Sequence, residues 1–248
     1  MRNVWVIARR EYKLFFISPV AYVVAFFFMI LLGYFFYGGL VDAMTYSAYY
    51  GSYAPGVDIV VGPMVTLLVF AMPAMTMRSI AEEMRMGTME LLLTAPVKDW
   101  ELIVGKWLGA FLFMLSLLTL TLLFPLVLNF LVKPGLDKGV VLTGYLGLIL
   151  MVGSLVAIGI FISSLFNNQV VVFFISLAAV LLLWFVLRPL GTDTSGGGSQ
   201  IVTYLNFINH FMNFYKGTID LSDIVYYLSA TSLALFLGTV SIELRRWR

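Results

Sequence analysis

Glu82 and Glu83 stand side by side, with Arg78 four residues ahead and Arg85 two residues behind. Adjacent carboxylates beside arginines can do two kinds of work. Given metal ligands, they can activate a water for hydrolysis. Without a metal, they exchange ion pairs. Arg78 and Glu82, at i,i+4, predict a pair along one helix face, and the two carboxylates are also placed to meet basic groups on a partner protein. The chain has a single histidine, His210, so metal-assisted hydrolysis would lack ligands. Cysteine is absent, which excludes disulfides, zinc–thiolate sites and thiol catalysis. No Gly-x-x-x-x-Gly-Lys-Ser/Thr loop occurs, so ATP is not bound in that manner and energy must come from a partner.

The acidic pair belongs to a longer stretch, Arg78 to Glu101 (RSIAEEMRMGTMELLLTAPVKDWE), the one charge-dense segment deep inside an apolar chain. Of the 248 residues, 61% are hydrophobic and 11% charged, where soluble domains carry about 25% charged residues. That composition describes a membrane protein without a sizeable soluble domain. A bilayer core takes about 20 apolar residues per spanning helix, so the charged stretch lies outside the lipid. Its Met84, Met86, Met89, Leu91, Leu92 and Leu93 add an apolar face for a protein partner.

The elements around it predict an all-α membrane fold of six transmembrane helices in one domain covering residues 1–248. Residues 2–17 mix Arg2, Arg9, Arg10 and Lys13 with apolar side chains, as an amphipathic helix at the headgroups does. Ser18-Pro19 supplies an N-cap and a first-turn proline. Spans follow at approximately 20–40, 57–77, 102–130, 140–166, 170–187 and 224–242. The first apolar run is too long for a signal-peptide core. Pro63 and Pro73 are expected to kink the second span, and Asp99 to cap the third. Gly105-x-x-x-Gly109 lets another helix approach, and Gly153, Ala157 and Gly159 are packing notches. Before the last span, Ile201, Leu205, Ile208, Met212 and Tyr215 recur at helical spacing and stop at Gly217, which reads as a short external helix too short and too polar to span. No span carries the buried ionisable residues that mark an ion pathway, which argues against a channel or proton-coupled carrier.

Basic residues set the orientation. With the N-terminus inside, eleven of the fifteen Lys and Arg fall in cytoplasmic segments; only Lys133, Lys138, Arg188 and Lys216 fall outside. Both termini and the charged stretch are therefore expected in the cytoplasm.

The run Arg78, Glu82-Glu83, Gly87-Thr88-x-Glu90-Leu91-Leu92 and Pro96-Val97 resembles the coupling region of ABC-2 type transporter permeases, most closely the gliding-motility and copper-processing branch. The likeness extends over the whole chain, to Phe214-Tyr215-Lys216-Gly217 before the last span. It implies the membrane subunit of an ATP-driven exporter in a bacterial or archaeal cytoplasmic membrane. Arg78, Glu82, Glu83, Gly87, Thr88, Glu90, Leu91, Leu92 and Pro96 would couple it to two copies of a separate ATPase, which would hold ATP and magnesium. No cofactor is expected on this chain itself, no enzymatic site, and no nucleic-acid partner. A second permease subunit, identical or homologous, would complete the assembly. Tyr204, Phe207, Phe211 and Phe214 are expected to form a lid at the outer leaflet. The alternative is an intramembrane protease of CAAX type. It requires Glu-Glu-x-x-x-Arg and several histidines, whereas Arg85 comes too soon and only His210 is present.

Overall fold

The computed structural model describes residues 2–51, 55–89, 97–132, 135–186 and 204–246. Among these residues the regular elements are all helical. They are α1 (Arg2–Ile17), α2 (Pro19–Tyr50), α3 (Asp58–Thr76), α4 (Ala81–Arg85), α5 (Asp99–Thr121), α6 (Leu123–Leu131), α7 (Lys138–Leu165), α8 (Gln169–Leu181), α9 (Phe207–Tyr215) and α10 (Leu221–Arg246), with a π-helical turn at Leu182–Val186 after α8. Five helical stretches are long and apolar enough to cross a membrane: Pro19–Tyr49, Asp58–Arg85, Asp99–Leu131, Lys138–Leu165 and Leu221–Arg245. The apolar helix Gln169–Trp184 is shorter.

The core forms around α7. Its small residues let neighbours close in. At Gly159 a Cβ would collide with the Thr76 hydroxyl of α3, and Gly153 meets the ring of Phe111 on α5. Ala157 is fully buried. In lipid, such packing and interhelical hydrogen bonds replace the hydrophobic drive of water. The bonds are present too: Ser154 donates to the Tyr227 carbonyl of α10 at 2.8 Å, and the Trp107 indole of α5 donates to the Gly153 carbonyl at 2.9 Å.

The same logic seats α1. The Gly105-x-x-x-Gly109 face of α5 receives it so closely that a Cβ at Gly105 would lie 2.7 Å from Ile7, and one at Gly109 2.5 Å from the Glu11 Cβ. Phe15 stacks on Phe113, and the Tyr12 and Ser116 hydroxyls lie 3.0 Å apart. Trp5, Val6 and Ile17 remain exposed on the other side. An amphipathic helix expected to rest on headgroups thus has one face packed on protein and one free for the membrane.

Three local expectations change. Helix α2 does not stop near residue 40; it continues to Tyr50, because residues 41–50 contain no glycine or proline, and ends before Gly51 at φ +96°. Asp99 is the first helical residue of α5 and not its cap. Lys98 takes the cap position, and the Glu101 side chain accepts from the Lys98 backbone N–H at 3.2 Å. The third apolar run is divided at Leu122, since Pro125 removes a backbone donor and crowds the Thr121 carbonyl one turn back. Helix α3 holds both Pro63 and Pro73 without ending.

Candidate functional site

Residues 77–80 turn the chain out of α3 and into α4. The first N–H groups of a helix lack intrahelical partners. Here the Ser163 hydroxyl of α7 accepts from both Ile80 and Ala81 at 3.1 Å, which fixes α4 against the core. Arg78 and Glu82 pair as their spacing predicts, in a two-pronged contact of 2.8 and 2.9 Å. Arg78 also donates to the Ser18 hydroxyl at 3.4 Å, so Ser18 occupies the cap position of α2 while its side chain serves the guanidinium instead.

Glu83 points inward to a buried cation that sequence reasoning missed. The Lys106 ammonium, in a side chain 1% exposed, lies 2.8 Å from Glu83 Oε1 and 3.2 Å from Glu11 Oε1. It donates also to the Ser79 carbonyl at 2.8 Å. Arg10 reaches the same carboxylates, at 2.7 Å from Glu11 and 3.3 Å from Glu83. Burial opposes the charge of Arg10, but the hydrogen bond and charge of Glu11, with the charge of Glu83, leave its pKa raised. Two cations and two anions from α1, α4 and α5 thus form one cluster. This corrects the expectation that no spanning helix buries an ionisable group. Lys106 is 2% exposed on α5 and Asp223 2% exposed on α10. Both helices begin earlier than their apolar runs, and each charge is neutralised by close partners. Membrane-depth charges are tolerated on those terms.

Gly87 has φ +71°, a left-handed conformation open to glycine and strained for other residues. Thr88 donates from its hydroxyl to the Glu83 carbonyl at 3.3 Å, closing the end of α4. Glu90, Leu91, Leu92 and Pro96 lie outside the described residues. Beside the ion cluster opens a cavity of about 720 Å³, lined by groups that include Leu14, Ile17, Met75, Arg78 and Glu82.

The four aromatic lid candidates fall at the opposite end of α7, around α9. Asn206 caps that helix by accepting from the Ile208 and Asn209 N–H groups. Gly217, at φ +87°, ends it as expected. The buried face, however, is Phe207, His210, Phe211 and Phe214; Leu205 and Met212 of the expected stripe are exposed. Aromatic rings remove more apolar surface per residue than Leu or Met, and Phe214 fits against Gly147 of α7, where a Cβ would lie 2.7 Å from its own. Tyr204 is 55% exposed. His210 is occupied by Asp223 at 2.6 Å and the Tyr204 carbonyl at 2.7 Å. Among the described residues no group of three or more His, Asp or Glu is placed to hold a metal ion.

A family model described as ABC-2 family transporter protein matches residues 5–243. A search of curated proteins found no match.

Proposed function

This chain belongs to the ABC-2 transporter family, and from that membership we propose that it is the membrane-spanning permease of an exporter in a cytoplasmic membrane, driven by two copies of a separate ABC ATPase. It is a multi-pass membrane component of an ABC transporter, and permeases of this family generally work with an ABC ATPase. The finer reading has the stretch from Arg78 to Pro96 in the cytoplasm, docked on that ATPase. The helix Gln169–Trp184 belongs to a sixth crossing. Two permease subunits, identical or homologous, meet through the second and fifth spans. An apolar pathway between the spans suits a lipid or a hydrophobic small molecule as substrate, and α9 closes the outer end.

One observation carries this reading. Glu83, on α4, is held by Lys106 of α5 and Arg10 of α1, while Arg78 and Glu82 brace the same turn. A force applied to α4 by a partner therefore cannot move it alone. It displaces the interfacial helix and the start of a spanning helix together. The cluster of Arg10, Glu11, Glu83 and Lys106 converts a push at the membrane surface into rearrangement within it.

The test is reconstitution with the ATPase that co-purifies in mild detergent. Glu83→Ala should leave the complex assembled, lower transport and leave ATP hydrolysis running. Leu91→Asp should weaken ATPase binding, since it puts a charge into an apolar contact. Normal transport by both variants, with an intact complex, would remove the coupling role from this stretch.

A further inference from the structure

His210 is the one histidine of the chain, 7% exposed, and each of its ring nitrogens faces an acceptor. Nδ1 lies 2.6 Å from Asp223 Oδ1, and Nε2 lies 2.7 Å from the carbonyl oxygen of Tyr204. A carbonyl can only accept, so Nε2 must carry a proton. A second proton must lie between Nδ1 and the carboxylate, or two acceptors would confront each other across the shortest contact in the cluster. A neutral imidazole with an ionised aspartate has one proton for these two places. The geometry is complete only when the pair holds one more, as imidazolium and carboxylate. The surroundings suit that cation. The ring of Tyr226 stacks on the imidazole with centroids 3.9 Å apart, presenting its negative face. The other oxygen of Asp223 accepts from the Asn213 amide at 2.8 Å, which completes the carboxylate.

We propose that the protonated His210–Asp223 pair is a clasp that holds α9 and the turn at Tyr204 against α10, and that loss of its proton releases them. The clasp goes beyond the transport reading and does not depend on which ATPase or substrate the chain serves. Few titratable groups surround it. On α10, Asp223 is the anion. Tyr226 and Tyr227 are the nearby phenols, the latter donating to the Phe207 carbonyl at 2.8 Å. On the α9 side stand Tyr204, with its ring edge-on at 4.9 Å, and the exposed Lys216. From α7, Tyr145 is turned away toward Thr121 and Lys138 is exposed. The π-helical turn contributes no titratable residue. Deprotonation leaves either the Tyr204 carbonyl or the Asp223 carboxylate without its donor in a buried site, so one of the two must turn away. Tyr204 is exposed on the turn before α9 and Asp223 is buried within a long helix, so the turn at Tyr204 is the part that yields.

A single histidine makes the test direct. The full-length protein, labelled with 15N-histidine and held in phosphatidylcholine nanodiscs, gives one imidazole signal set. Near neutral pH both ring nitrogens should show protonated shifts, and in Asp223→Asn they should not. A neutral imidazole in the unmodified protein at that pH would overturn the clasp. Hydrogen exchange reads the consequence. Corrected for intrinsic rates, protection of the amides of α9 should fall as the ring deprotonates. In His210→Gln it should start lower and no longer follow pH. Protection in the unmodified protein that is independent of pH across the imidazole titration would also overturn it, and this measurement needs no variant to fold.

Discussion

Lys106 and Arg78 are both paired cations near one turn, and burial separates what each contributes. The Lys106 side chain is 1% exposed, and its ammonium is held by Glu83, Glu11 and the Ser79 carbonyl. Replacing one partner of a buried pair leaves uncompensated charge and costs about 3–5 kcal/mol. Lys106→Met leaves two carboxylates sharing Arg10 alone, so it is expected to lower the unfolding midpoint sharply in detergent. Arg78 and Glu82 are 32% and 24% exposed. A pair open to solvent contributes about 0–1 kcal/mol, so Arg78→Ala should shift the same midpoint only slightly while still reducing transport. Equal destabilisation by the two variants would contradict this division between a cation that holds the fold and one that braces a moving part.

At the scale of elements, the seating of α1 on α5 rests on the absence of two side chains. Gly109→Val would drive a Cβ against Glu11 and within 2.9 Å of the Ala8 carbonyl. Backbone cannot yield as a flexible side chain does, and overpacking of this kind costs about 1–3 kcal/mol. The expected outcome is a displaced α1 and a broken ion cluster. A cysteine at Ala8, fully buried in the native packing, should label slowly in an otherwise unmodified chain and rapidly with Gly109→Val. Unchanged slow labelling would show that α1 has another seat. Helix α2 makes a different point. Its 32 residues span about 48 Å at 1.5 Å each, against a hydrocarbon core of about 30 Å. Its last turns therefore project beyond the lipid, and the aromatic run Tyr34-Phe35-Phe36-Tyr37 falls in mid-helix.

For the whole molecule, the ion cluster and the clasp sit at opposite ends of α7, one beside Ser163 and the other beside Gly147. From the distribution of basic residues we propose that the cluster faces the cytoplasm and the clasp the outside. A chain without cysteine allows this to be measured directly. Single cysteines at the exposed positions Lys138 and Lys216 should react with an impermeant thiol reagent applied to intact cells, and one at exposed Arg85 should not. Labelling of Arg85→Cys from outside would invert the molecule and with it the assignment of the charged stretch to an ATPase.

Much of this was legible in residue order alone, because it depends on neighbours along the chain. The apolar runs predict an all-helical membrane fold, the i,i+4 spacing of Arg78 and Glu82 predicts their pair, and Gly217 predicts the end of α9. Glycines four apart on α5 announce a close helix, though not which one. What residue order could not supply is every contact chosen by proximity in space. Arg10 finds Glu83 across 73 residues and Lys106 finds Glu11 across 95. Nothing in the local pattern distinguishes Lys106 from a basic residue left at the membrane surface. Likewise, helical spacing permits α9 two apolar faces, Leu205–Ile208–Met212 and Phe207–Phe211–Phe214. Only the notch at Gly147 and the carboxylate of Asp223 decide which one turns inward, because burial stabilises a face only where a complementary surface already stands.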